Sequence, residues 1–111
     1  MKRTIVINSA EMGIGSGELG SRLIGSFLRK LSVSRHKPDR IVFYNSGVAL
    51  LAKGSNVLDA LSRLLEAGVD LVACGTCVGY YQLSDKIAAG RVSDMQEIVS
   101  ILTESETVIT I

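Results

Sequence analysis

Val69-Asp70-Leu71-Val72-Ala73-Cys74-Gly75-Thr76-Cys77 is the stretch on which the fold turns. Its first five residues are apolar but for one aspartate, and CGTC cuts them off. So continuous an apolar run, too short for a helix, reads as a strand buried on both faces, the pattern of parallel sheets. Two more such runs stand upstream, at residues 4–8 (TIVIN) and 40–44 (RIVFY). Between them, residues 18–31 place Leu19, Leu23, Ile24, Phe27, Leu28 and Leu31 on one helical stripe. Pro38-Asp39 marks the turn into the second strand, and Asn45-Ser46-Gly47 breaks it. Residues 48–52 are apolar and of no assigned type. Asn56 is placed to cap a helix carrying Val57, Leu58, Leu61, Leu64 and Leu65, with Gly68 at its left-handed end.

Beyond CGTC, residues 80–89 read as a short helix ending at Gly90. Ser93-Asp94-Met95-Gln96 has capping-box spacing and opens a helix with Met95, Ile98, Val99 and Leu102. Residues 107–111 (TVITI) read as a last strand. The alternation predicts an α/β fold: a single three-layer domain over residues 1–111, with a mostly parallel β-sheet and helices on both faces. Ligands of such sheets bind beyond the carboxyl ends of the strands. Loops 9–17, 45–47 and 74–79 should share that edge, which puts CGTC there by position.

The bulk properties narrow the function. The 111 residues are 47% hydrophobic and 21% charged, with formal net charge +1, so neither nucleic acid nor an anionic membrane has an electrostatic hold. Aromatic content is 5%, without basic residues interleaved for base stacking. The apolar run near Met1 is shorter than the roughly 7–15 residues of a secretory core, and no run approaches the roughly 20 of a membrane span. A cytoplasmic setting with reduced thiols is expected, so CxxC means redox, metal or nucleophile chemistry rather than a staple.

Each reading of CGTC meets a test in the sequence. A thioredoxin-type pair follows an early strand and faces a later proline. Here the pair follows the third strand, and the only proline, Pro38, comes before it. Zinc takes about four ligands. Cys74, Cys77 and the single His36 make three, and His36 sits in the basic turn Arg35-His36-Lys37, so a carboxylate such as Asp85 would have to join. No metal is assigned. A nucleophilic thiol fits better: Cys74 ends a strand and a helix follows within a few residues, where free N–H groups lower a thiol pKa. Gly75 and Gly79 let backbone amides approach the sulfur. Two inert buried cysteines stay open as the alternative.

Gly15-Ser16-Gly17-Glu18-Leu19-Gly20 matches a dinucleotide fingerprint and opens a helix after a strand. The loop from Asn8 to Gly15 is long for it, and Tyr44-Asn45-Ser46 ends the second strand where a ribose-binding acid belongs. No cofactor is expected. The glycines read as a flexible loop with close packing of the helix on the sheet at Gly20. Anion binding at the helix start is the other option, against which Glu18 counts.

Phe43-Tyr44-Asn45-Ser46-Gly47-Val48, Gly54-Ser55, Ala67-Gly68-Val69, Cys74-Gly75-Thr76-Cys77, Tyr80-Tyr81 and Gly90-Arg91-Val92-Ser93-Asp94-Met95, in that order, resemble the DsrE-like superfamily. The likeness is nearest to the C-terminal domain of the YedF-type selenium-metabolism proteins. It implies an oligomer-forming α/β domain. By position Cys74 matches a cysteine that relays sulfane sulfur as a persulfide in relatives. YedF-like proteins usually carry an N-terminal TusA-like domain, which this chain is expected to lack. The leading expectation is a sulfur- or selenium-handling, sulfurtransferase-like protein. Cys74 takes the chalcogen, Cys77 resolves it, and Asn45, Ser46, Gly47, Gly75 and Thr76 form the binding pocket, with Lys53 and Lys86 as nearby cations. A homo-oligomer is expected, with a TusA-like or cysteine-desulfurase-type donor or acceptor as partner. A non-catalytic binding module and a thiol redox sensor stand as alternatives.

Overall fold

In the computed structural model, which describes residues 3–111, the three apolar runs become the centre of a sheet. Strands β1 (Arg3–Ile7), β2 (Arg40–Phe43) and β3 (Asp70–Cys74) pair in parallel, in register Thr4↔Arg40 and Arg40↔Asp70. Two edge strands complete it. β4 (Arg91–Ser93) pairs with β3, and β5 (Thr107–Thr110) pairs with β1, giving the order β4-β3-β2-β1-β5, all parallel.

Alternation along each strand sorts the side chains to two faces. Ile5, Ile7, Ile41, Phe43, Leu71 and Ala73 meet helices α1 (Gly17–Ser32) and α2 (Leu58–Glu66) and the 3-10 helix Asn45–Leu51. Val42, Val72 and Cys74 meet Ile98 and Ile101 of helix α4 (Met95–Glu104) on the other face. The expected three layers are present. In β2, Ile41, Val42 and Phe43 are all completely buried, each stabilising the fold by roughly 1.5–3 kcal/mol relative to exposure.

The helices follow their local signals, with corrections. Ser16 caps α1 by accepting from the Leu19 N–H at 3.2 Å. Only part of the expected stripe is buried: Ile24 and Leu28 face the sheet, whereas Leu19 and Leu23 are exposed. Gly20 packs against the loop before its own helix rather than against the sheet, since an added Cβ would lie 2.8 Å from Glu11 Cβ. The apolar run after β2 is the 3-10 helix, with Val48, Leu50 and Leu51 inside. Asn56 does not cap α2. Val57 holds the cap position without a side-chain bond, and its N–H donates to Ser55 Oγ at 3.3 Å. Gly68 does end the helix, at φ +92°.

The largest departure lies after β3. Helix α3 (Gly75–Tyr80) starts on CGTC itself, not at Tyr80, and Gln82 at φ +59° follows its end. Residues 81–90 form turns held to the 3-10 segment by the Ala52↔Ile87 bridge and the Lys53 N–H to Lys86 carbonyl bond, 2.8 Å. Asp94, not Ser93, caps α4, accepting from the Glu97 N–H at 2.9 Å, while the Ser93 hydroxyl bonds the Glu97 carboxylate.

Arg91 fastens the three-residue strand β4. Its guanidinium donates twice to Asp70 of β3, both at 2.9 Å, and twice to Glu97 of α4, at 2.8 and 2.6 Å. Arg91 beside them holds both carboxyls below their usual range, Glu97 at about 2. Helix α4 then crosses the sheet from one edge strand to the other. Among the described residues no helix is long and apolar enough to cross a membrane.

Candidate functional site

Each central strand delivers a loop to the carboxyl edge, and hydrogen bonds tie the loops together. After β1, the Ala10 N–H donates to Ser46 Oγ at 3.0 Å. After β2, Asn45 takes φ +51°, a left-handed conformation that Asn tolerates better than most residues. That turn aims the Asn45 backbone N–H at Cys77 Sγ, 3.0 Å away. The Asn45 side-chain oxygen accepts from the Ser46 N–H at 2.8 Å and from the Tyr81 hydroxyl at 3.0 Å. A chain of contacts thus runs from Tyr81 through Asn45 to the thiol.

Helix α3 builds the rest. One helical turn beyond Cys77 come Tyr80 and Tyr81, and residues three and four apart share a helix face. Asn45, Thr76, Cys77, Tyr80 and Tyr81 line a pocket of about 360 Å³. The two tyrosine rings meet edge to face, centroids 5.1 Å apart, and Tyr80 stands 80% exposed at the rim.

The two cysteines are not equivalent. Cys74, at 1% exposure, points to the α4 face between Val72 and Ile98 and does not line the pocket. CGTC as a whole is expected at this edge; of its two thiols, Cys77 lines the pocket and Cys74 does not. Both are free thiols. Burial pushes the Cys77 thiol up from its ordinary value, the Asn45 N–H pulls it down, and the neighbouring Cys74 thiol raises it further. A six-residue helix following a buried strand leaves desolvation the stronger influence on Cys77.

The other expected binding residues divide. Asn45 and Thr76 line the pocket, while Ser46 holds loop 9–17 in place. Gly47 and Gly75 act by close approach: an added Cβ would lie 2.4 Å from the Ile7 carbonyl oxygen at the first and 2.9 Å from the Ser93 carbonyl oxygen at the second. Lys53 and Lys86 do not line the pocket. His36 borders an apolar groove with Arg3, Phe27, Pro38 and Ile109, near the amino ends of β1 and β2 and away from the cysteines. Among the described residues no three His, Cys, Asp or Glu side chains converge as metal ligands. Tyr80 and Tyr81 were missed as site residues. Their spacing from Cys77 signals them once a helix is started at Gly75.

The fold and site define a parallel α/β domain that presents a hydrogen-bonded thiol at the carboxyl edge of its sheet. The chain belongs to the DsrE/DsrF-like family, whose model matches residues 1–111. Among solved structures it is similar to the YchN protein of E. coli (22% identity, TM-score 0.69, covering 99% of this chain and 98% of that one). It is likewise similar to protein MTH1491 of Methanobacterium thermoautotrophicum (23%, 0.70, all of both chains) and to BT1422 of Bacteroides thetaiotaomicron (15%, 0.67, 99% and 95%). At these identities the likeness is one of fold. No curated protein sequence matches the chain.

Proposed function

We propose that this protein carries sulfane sulfur, or selenium in its place, on Cys77. The supporting observation is the Cys77 thiol at the pocket wall, accepting the Asn45 N–H at 3.0 Å with the Cys74 thiol beside it. The roles expected from the sequence are exchanged: the accessible Cys77 is the receiving thiol and the buried Cys74 the resolving one. The Cys77 thiolate attacks the outer sulfur of a hydropersulfide R–S–SH. A Cys77 S–S bond forms, the R–S to SH bond breaks, and R–S⁻ leaves. An acceptor thiolate that attacks the terminal sulfur takes it on and returns the Cys77 thiolate.

Without an acceptor, the Cys74 thiolate attacks the Cys77 sulfur. That forms the Cys74–Cys77 disulfide and expels hydrosulfide, and an external dithiol reductant restores both thiols. The Asn45 N–H stabilises negative charge on Cys77 as attacking and as leaving group. Intact-mass analysis after exposure to a hydropersulfide donor tests the assignment. Cys74→Ser should retain one added sulfur atom, Cys77→Ser should gain none, and the native chain should proceed to the disulfide. An adduct that survives Cys77→Ser and disappears in Cys74→Ser refutes it.

The neighbouring thiols also favour a second reading, a reversible redox switch. It predicts the same disulfide under a simple oxidant, with no sulfur adduct on Cys74→Ser.

A further inference from the structure

Among the described residues, Asn45, Thr76, Cys77, Tyr80 and Tyr81 line the thiol pocket, and all five side chains are uncharged. From that lining we infer that the donor this site accepts is an organic hydropersulfide uncharged around its reactive sulfur, and that the pocket discriminates against anionic donors such as inorganic polysulfide. This deepens the carrier reading and rests on Cys77 as the receiving thiol.

Three observations carry it. First, an anion leaving water for this wall meets no cation among the described lining residues. Its lost hydration is replaced only by hydroxyl and amide donors, and one of these, the Tyr81 hydroxyl, is already engaged by Asn45. Second, the two tyrosine rings present negative faces and positive edges. Edge-to-face packing at 5.1 Å spends a positive edge of one ring on the face of the other, so that edge is not offered to an anion. Third, the volume of about 360 Å³ is far larger than one or two sulfur atoms require. It equals roughly a dozen waters at about 30 Å³ each, room for a compact organic group R. The burial that pushes the Cys77 thiol up acts in the same direction, since a wall that disfavours a thiolate disfavours an incoming anion.

The transfer remains the balanced exchange given above. Cys77–S⁻ and R–S–SH give Cys77–S–SH and R–S⁻, and one negative charge passes from Cys77 to the departing thiolate. With a neutral donor the pocket holds one negative charge throughout this step, the one that starts on Cys77. An anionic donor adds at least one more, which the lining does not neutralise.

Paired thiol reagents of matched reactivity and opposite charge class test the selectivity on the native chain. Cys77 is alkylated with iodoacetamide or iodoacetate, and separately exchanged with neutral 2,2′-dipyridyl disulfide or dianionic 5,5′-dithiobis(2-nitrobenzoate). Site assignment is by peptide fragmentation. Each neutral-to-anionic rate ratio is divided by the ratio for N-acetylcysteine amide. The expected result is a normalised ratio of about ten or more for both pairs, falling toward one in Thr76→Lys, which adds a cation to the wall. A normalised ratio within twofold of one in the native chain overturns the inference, as does a ratio below one. Sulfur loading then separates the two readings. Equal loading from inorganic polysulfide and from a neutral hydropersulfide sinks the selectivity and leaves the carrier role standing. Charge-selective alkylation with no loading from any donor sinks the carrier role and leaves the selectivity standing.

Discussion

Tyr81→Phe removes one hydroxyl, and the structure specifies what that hydroxyl does. It donates to Asn45 Oδ1 at 3.0 Å, and Asn45 in turn directs its backbone N–H to Cys77 Sγ. A hydrogen bond to a charged group contributes about 1.5–3 kcal/mol. Loosening Asn45 should forfeit about half of the lower figure, roughly 0.7 kcal/mol at the thiolate, which is about half a pKa unit. The direction follows from the causes at Cys77: burial raises the thiol pKa, the Asn45 N–H lowers it, so weakening that bond raises it further. Below the pKa the thiolate fraction drops about tenfold per unit, so alkylation near neutral pH should slow about threefold. Well above the pKa the rate should be unchanged, because the thiolate itself is intact. Global stability should fall by only about 0.5 kcal/mol, as for one half-exposed neutral hydrogen bond. The assay is the iodoacetamide rate at Cys77 against pH, in native and Tyr81→Phe chains, with a denaturant melt alongside. An unshifted pH profile refutes the relay. A uniform loss of rate at every pH would mean that Tyr81 shapes access instead.

Three further outcomes follow from the same geometry. Gly47→Ala places a Cβ 2.4 Å from the Ile7 carbonyl oxygen, a backbone clash that no rotamer relieves. It should cost about 3 kcal/mol in a urea melt and speed the alkylation of Cys77 at every pH. Arg91→Gln should destabilise by about 1 kcal/mol at neutral pH, discounted for the solvent that reaches this partly exposed network. Because the folded-state pKa values of Asp70 and Glu97 are depressed, that difference should persist above about pH 4.5 and vanish as pH falls toward 2 in thermal melts. Ile98→Ala opens a cavity beside Cys74 and should cost about 2–4 kcal/mol in the same melts, with the Cys77 rate at neutral pH held within twofold.

The sheet was legible because residues 4–8, 40–44 and 69–73 carry near-continuous apolar runs rich in β-branched residues, whereas the run at 48–52, with Val48 its only β-branched residue, falls mostly in the 3-10 helix. β4 was not, since Arg91-Val92-Ser93 holds one apolar residue and gains its place from Arg91's two carboxylate partners, which lie at Asp70 and Glu97. Shared glycine and cysteine content hid α3: CGTC has weak helix propensity, and tertiary contact at Gly75 with Ser93 fixes its start. That one misplaced helix also affected the site. Starting the helix at Tyr80 hid the one-turn spacing of Tyr80 and Tyr81 from Cys77. Strand alternation already put Cys74 on the same side as Val72, and that pattern was the available sign that it faces inward.

Because α4 carries the chain from β4 across the sheet to β5, the first described strand is paired with the last, Arg3 opposite Thr107. During synthesis, residues 3–81 could gather the pocket lining well before residues 95–110 emerge. Until then Val42, Val72 and Cys74 have no cover on their face. A nascent chain therefore holds the Cys74 thiol open to oxidants and to other chains until α4 has emerged. The last helix thus acts as a timer on when the buried cysteine becomes private to its partner.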